Sequence, residues 1–93
     1  MAASSGGVAA RQLTLLSRAY CHLCDDMRAA VAPLALRHRI GIVELDVDAD
    51  AGLEARYGER VPVLLLGVPA DGIELCHYTF DRARVEHALM RTP

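Results

Sequence analysis

The sequence predicts an α/β domain in the order β-α-β-α-β-β-α, with a four-stranded mixed sheet flanked by helices. Two observations support this fold class: short apolar runs alternate with segments of helical periodicity, and turn-forming residues separate them. The length of 93 residues suits one small domain. Helices between the first three strands favour parallel crossovers, and a tight turn between the last two strands predicts one antiparallel edge.

The first strand and helix are predicted from two contrasting patterns. Residues 13–16 form a short apolar run, which is typical of a buried strand. From His22 to about Arg37, apolar side chains recur at steps of three and four and predict one buried helix face, formed by Met27, Ala30, Val31, Leu34 and Ala35. Pro33 should bend this helix, but the periodicity continues through it.

The middle of the chain predicts a strand, a short helix and a central strand. In residues 40–47, Val43, Leu45 and Val47 alternate with acidic residues, which indicates a strand. Residues 48–50 supply a turn and an N-cap for a helix over residues 51–57, which Gly58 ends. The near-continuous apolar run 61–66 is typical of a strand that is covered on both faces.

The last strand and helix complete the pattern. Residues 69–72 form a Pro-Ala-Asp-Gly turn, so the run before it and residues 73–78 after it should form a hairpin. Asp81 is placed to cap a last helix, and the residues predicted to lie on or near its inner face are Ala83, Val85, Ala88 and Leu89.

Composition excludes several classes of partner and location. The net charge of −2 and the absence of a long basic run give no electrostatic support to nucleic-acid or anionic-membrane binding. No apolar stretch approaches the roughly 20 residues that span a bilayer. Residues 1–11 lack a secretory pattern and are expected to form a flexible tail before a domain at 12–93. We expect a cytoplasmic monomer.

The most informative motif is Cys21-His22-Leu23-Cys24, which lies between the first strand and the first helix. This position places the first sulfur at a helix N-terminus, where unpaired backbone N–H groups and the helix dipole stabilise a thiolate. We therefore interpret Cys21 as the nucleophile and Cys24 as the resolving thiol of a dithiol–disulfide couple. A zinc site is the alternative, but it needs two more ligands, and adjacent Cys76 and His77 should point to opposite faces of a strand.

With this motif and Val61-Pro62 before the third strand, the chain resembles the glutaredoxin-like branch of the thioredoxin fold over residues 12–91. In particular, it resembles small glutaredoxin-like proteins with a Cys-His-Leu-Cys-Asp motif, here residues 21–25. The resemblance implies that Pro62 is cis and packs against the active-site sulfurs. It also implies that the backbone of Val61 binds an extended substrate.

The chain matches glutathione-using glutaredoxins at some positions and departs from them at others. Arg18 matches the usual basic residue before the motif in charge, and Asp81 matches an acidic residue near the last helix. His77 and Tyr78 replace the usual Gly-Gly pair, and their side chains would crowd glutathione. Arg60 stands where glutaredoxins usually carry Thr.

Other residues near the motif carry weaker signals. A protonated His22 would lower the pKa of Cys21, although an exposed first-turn residue is an equal interpretation. Tyr20 can form a docking surface or simply pack. Arg18 and Arg60 are candidates for a substrate carboxylate, or ordinary surface charges. Cys76 is expected to be a buried, inert strand cysteine.

The sequence thus predicts a thiol–disulfide oxidoreductase that reduces protein or small-molecule disulfides. It needs no organic cofactor or metal, and its electron donor is glutathione or a flavoprotein reductase. The alternatives are a metal or iron–sulfur binding module, and a redox-silent module of the same fold that binds a peptide.

Overall fold

The computed structural model describes residues 12–91, and its elements follow the predicted order. The predicted tail at 1–11 and the end of the predicted domain at 92–93 lie outside the described residues. The elements are β1 (Gln12–Ser17), α1 (His22–Arg37), β2 (Gly41–Asp46), a 3-10 turn (Val47–Ala49), α2 (Ala51–Tyr57), β3 (Val63–Leu66), β4 (Ile73–His77) and α3 (Arg82–Arg91).

The four strands form one mixed sheet in the order β2-β1-β3-β4. β1 and β2 are parallel, and β3 is antiparallel to both β1 and β4. The predicted hairpin of β3 and β4 is confirmed, but the prediction that β3 is parallel to β1 is wrong. The helix α2 has seven residues and is only about 10 Å long, which is half the roughly 20 Å length of a six-residue strand. The chain therefore re-enters the sheet near the end at which β2 finishes, and β3 runs in the opposite direction to β1 and β2.

Helices cover both faces of the sheet. On one face, α1 and α3 pack against β1, β3 and β4, and the buried side chains are Leu13, Leu15, Met27, Val31, Leu34, Ala35, Ile40, Leu64, Leu75, Val85 and Leu89. On the other face, α2 and the 3-10 turn pack against β1 and β3 through Leu16, Val47, Tyr57, Val63 and Leu65. The two central strands are thus buried on both sides, as the apolar run of β3 predicts.

Three predicted strands are shorter in the structure, and the last of them, β4, ends at His77 and not at residue 78. β2 ends at Asp46 because the carboxylate of Asp46 accepts a hydrogen bond from the backbone N–H of Asp48 (2.8 Å) and starts the 3-10 turn, which buries Val47. Val43 is 41% exposed on β2, which is an edge strand of the sheet. β3 begins at Val63, after the Val61–Pro62 peptide bond.

The predicted helix caps are confirmed. Asp50 accepts a hydrogen bond from the N–H of Leu53 (3.0 Å) at the start of α2, and Asp81 accepts one from the N–H of Arg84 (3.1 Å) at the start of α3. α1 continues through Pro33, which lies on its exposed side. On α3, Val85 and Leu89 face the core, whereas Ala83 is exposed, contrary to the prediction. None of the helices in residues 12–91 is long and apolar enough to cross a membrane.

The fold predicts a clear contrast between two leucine substitutions. Leu64 on central β3 is 0% exposed, whereas Leu36 on α1 is 81% exposed. Leu64→Ala should lower the free energy of unfolding by about 2–5 kcal/mol because it leaves a cavity in the core. Leu36→Ala should change it by less than about 0.5 kcal/mol. Urea denaturation of both variants measures the difference, and equal destabilisation would contradict the described packing.

Candidate dithiol site

Cys21 is the N-cap residue of α1, and its sulfur accepts a hydrogen bond from the backbone N–H of Cys24 at 3.1 Å. The sulfur therefore lies where the helix dipole and unpaired N–H groups favour negative charge. Cys24 follows in the first turn and is fully buried, while Cys21 is partly exposed. A disulfide joins the two residues, whose Cα atoms lie 5.2 Å apart. The pair can therefore close a ring, with one sulfur open to solvent and the other behind it.

The chain turns from β1 into α1 at Tyr20. Its φ of 58° is in the left-handed region, which a bulky residue adopts only when the surrounding structure enforces it. Its ring is fully exposed, so the alternative that Tyr20 simply packs is excluded. Leu23, between the two cysteines, is also an exposed apolar side chain. Tyr20 and Leu23 therefore present two exposed apolar side chains on the segment that carries the dithiol.

The Val61–Pro62 segment lies at the same end of the sheet as the dithiol, because Val63 of β3 pairs with Leu16 near the end of β1. The Val61–Pro62 peptide bond is cis, as the resemblance implies. Pro62 is buried, and its carbonyl accepts a hydrogen bond from the N–H of Tyr78 at 2.9 Å. Within residues 12–91 the backbone of Val61 makes no hydrogen bond, so its N–H and C=O are open to another chain.

A charged network ties the start of α1 to β2. The guanidinium of Arg28 donates two hydrogen bonds to Glu44, one from Nε at 2.7 Å, and a third to Asp25 at 2.7 Å. The hydroxyl of Ser17 at the end of β1 donates to the same carboxylate of Glu44 (2.7 Å). Hydrogen bonding by Arg28 lowers the pKa of Glu44, partly opposed by burial. Glu44 therefore remains ionised and fixes the position of α1 relative to the sheet.

The two arginines predicted to bind a substrate carboxylate are already paired within the chain. Nη2 of Arg18 lies 3.1 Å from carboxylate oxygens of both Asp48 and Glu54. Nη1 of Arg60 lies 2.8 Å from Glu74, and its Nη2 donates to the carbonyl of Arg56. A substrate carboxylate would have to compete with these partners. Substrate binding by either arginine stays a prediction.

The remaining predicted residue of the motif, His22, is exposed on the first turn of α1. Its side chain forms no hydrogen bond or ion pair with any other described residue. Its side chain is therefore free to face a bound substrate.

Cys76 lies on β4, opposite Leu64, and is only partly buried. Desolvation raises the pKa of its thiol, and a backbone hydrogen bond from Asp81 partly opposes the shift. Its thiol is therefore poorly ionised at neutral pH. Across residues 12–91, no three side chains of the His, Cys, Asp and Glu types are grouped so that they could hold a metal ion.

This combination of a mixed sheet between helices, a Cys-x-x-Cys pair at a helix N-terminus and a cis-proline segment at the same end defines a thioredoxin-fold dithiol domain. Comparison with solved structures supports the class. A thioredoxin from Fasciola hepatica superposes with a TM-score of 0.68 at 14% identity, covering 99% of this chain and 90% of that one. At this identity the likeness establishes the fold alone.

The family assignment is more specific than the assignment of the fold. Residues 12–90 match the model of the glutaredoxin-like domain (DUF836), and the chain belongs to this family. An uncharacterized protein of Mycobacterium tuberculosis is 33% identical over 86 residues, which cover 87% of this chain and 84% of that protein. A structure from X. campestris is 40% identical with a TM-score of 0.63, covering 87% and 99% of the two chains. One from Nitrosomonas europaea is 33% identical with a TM-score of 0.72, covering 84% and 89%.

Sequence reasoning missed the network that supports the site. The pair Asp25 and Arg28 has the spacing of a helical ion pair and could have been found. The contacts of Glu44 with Arg28 and Ser17 join three separate elements, and no local pattern indicates them. The role of Tyr78 as a partner of Pro62 depends on the pairing of β4 with β3 and was likewise not predicted.

The site predicts an order of thiol reactivity in the reduced protein. At neutral pH, limiting iodoacetamide should alkylate Cys21 first and Cys76 at least about tenfold more slowly, because each pKa unit above the working pH lowers the thiolate fraction about tenfold. Buried Cys24 should also react slowly. Peptide mass spectrometry measures the order, and urea-denatured protein, in which the three thiols should react alike, is the control. Faster alkylation of Cys76 than of Cys21 would contradict the described site.

Proposed function

We propose that the chain is a thiol–disulfide oxidoreductase that reduces disulfides of proteins or small molecules through Cys21 and Cys24. One observation carries the proposal: a partly exposed sulfur accepts a helix N-terminal N–H, and a buried sulfur stands one turn away at disulfide distance. The membership of the chain in a glutaredoxin-like family supports the same chemistry.

The reaction follows from the positions of the two sulfurs. The thiolate of Cys21 attacks one sulfur of the substrate disulfide, and the other substrate sulfur leaves as a thiolate. Cys24 then loses its proton and attacks Cys21, which breaks the mixed disulfide, forms the Cys21–Cys24 bond and releases the second thiolate. Two electrons pass from the protein to the substrate, and the released thiolates take up protons.

The substrate would lie across the residues that surround Cys21. Val61 offers free backbone groups beside buried Pro62, while Tyr20 offers an exposed apolar surface. His22, when protonated, favours the thiolate of Cys21. In this proposal Arg18 and Arg60 bind substrate carboxylates only by exchanging their present partners.

The dithiol must be reduced again after each turnover. Glutathione or a flavoprotein reductase is the electron donor in this proposal, and the chain itself needs no prosthetic group because its sulfurs carry the electrons. We expect the protein to act as a monomer in the cytoplasm, where a Cys-x-x-Cys pair is more often catalytic than structural.

Two cysteine substitutions should separate the two steps of this mechanism. Cys24→Ser should trap a mixed disulfide between Cys21 and the substrate, because no thiol remains to resolve it. Cys21→Ser should abolish reduction of the substrate. Incubation with a disulfide-linked peptide, followed by acid quenching and intact mass measurement, detects the trapped species.

Cys76→Ala serves as the matched control, since it removes a cysteine of the same chain that is outside the motif. This variant should retain the wild-type rate. Wild-type turnover by Cys21→Ser, or a mixed disulfide on Cys76 instead of Cys21, would refute the proposed function.

A further inference from the structure

A cleft opens at the end of the sheet that lies away from the dithiol. Ile73 at the start of β4 pairs with Leu66 at the end of β3, and Leu66 pairs with Leu13 near the start of β1. The dithiol follows the other end of β1. The cleft lies between β4 and α3, and its volume of about 500 Å³ is within the range of small-molecule sites, roughly 300–1,000 Å³.

The floor of the cleft is apolar. Leu75 belongs to the larger apolar cluster, and Leu66 and Ala88 pack against that cluster. Ile73 continues the same lining to the surface and is 60% exposed. Apolar surface that is open to water in this way favours a ligand whose own apolar part covers it.

The rim of the cleft is basic. It is formed by Arg84, His87 and Arg91, which follow one another on α3 at the spacing of a single helix face. Among the residues 12–91, those that line the cleft include no Asp or Glu. The cleft therefore attracts anions, and no carboxylate of its own lining offsets that attraction.

The two arginines of the rim have no carboxylate partner. Arg82 on the same helix, outside the cleft, pairs with Glu86 at 3.4 Å. Arg84 and Arg91 form no salt bridge within the part of the chain that the structure describes. Nη2 of Arg84 only approaches the backbone carbonyl of Glu74, at 3.5 Å, which is long for a hydrogen bond. Both guanidinium groups can therefore bind an anion without giving up an ion pair.

These features favour a ligand that has an apolar chain and one negative charge. The chain covers the floor, and guanidinium groups bind a carboxylate through parallel N–H donors. The rim reaches the C-terminal end of α3 at Arg91, where the helix dipole is negative. This end of the helix disfavours a doubly charged phosphate more than a singly charged carboxylate.

We propose that the cleft between β4 and α3 is a binding site for a single-chain aliphatic carboxylate, such as the anion of a medium-length fatty acid. The aliphatic chain lies along Leu66, Ile73 and Leu75, and the carboxylate lies against Arg84 and Arg91. The site does not depend on the proposed oxidoreductase function, because it is at the opposite end of the sheet from the dithiol.

Binding of decanoate to the full-length protein tests the inference. Decanoate is titrated at neutral pH below its micelle concentration, and decanol, which has the same chain without the charge, is the matched ligand. Isothermal titration calorimetry gives Kd, and the amide signals of the protein in two-dimensional NMR locate the site. We expect decanoate to bind more tightly than decanol and to shift the amide signals of Leu66, Leu75 and α3.

Substitutions separate the contributions of the rim and the floor. Arg84→Gln should raise the Kd for decanoate about twofold to fivefold, the worth of a partly exposed ion pair, and the double variant with Arg91→Gln should raise it about fourfold to 25-fold. Neither should change binding of decanol. Ile73→Ser should weaken both ligands because it removes apolar surface. Arg82→Gln removes the same charge from α3 outside the cleft, so it is the matched control and should match the wild type.

Several results would overturn the assignment: equal binding of decanoate and decanol, equal weakening by Arg82→Gln and Arg84→Gln, or no saturable shift of the amides that line the cleft. Shifts of these amides with protein concentration alone would make the cleft an interface between copies of the chain. Binding to anionic lipid vesicles without binding of decanoate would make it a membrane contact. Thermal unfolding checks each variant, and the exposed Arg84 and Arg91 variants decide the matter if Ile73→Ser does not fold.

Discussion

The burial of β1 between β2 and β3 is the constraint on which the site depends. Both neighbours pair with β1 along its length, and its side chains from Leu13 to Ser17 are buried. The strand therefore cannot shift without exposing its core contacts on both faces. Its end fixes where α1 begins and so where Cys21 lies. The pairing of Val63 with Leu16 brings the cis-proline segment to that same end.

Charged contacts then fix the relative positions of the segments around the dithiol. Arg18, Arg28 and Arg60 connect different segments: the β1–α1 loop with the region after β2, α1 with β2, and the loop before β3 with β4. These pairs are partly exposed, and each such pair contributes only about 0–1 kcal/mol to stability. Their main effect is on geometry, since they set the positions of loops that have few core contacts. Stability comes mostly from the two apolar clusters.

The sequence predicted those features that local patterns encode. Helical periodicity located α1, the carboxylates of Asp50 and Asp81 located two helix starts, and the motif at a strand-to-helix turn located Cys21. The direction of β3 was mispredicted because it depends on how far α2 carries the chain, a tertiary property. The contact of Glu44 with Arg28 depends on how α1 packs against β2, and the hydrogen bond from Tyr78 to Pro62 depends on the pairing of β4 with β3. Single-sequence patterns contain neither of these tertiary relations.

A redox titration tests most directly the claim that Cys21 and Cys24 form a reversible dithiol–disulfide couple. Cys76→Ala protein would be equilibrated in glutathione buffers of graded potential, alkylated and measured by intact mass. The account predicts one two-electron transition between a species with two alkylated thiols and a species with none, confined to Cys21 and Cys24. Protein that stays fully reduced at every potential, or that accumulates only glutathione adducts, would contradict it.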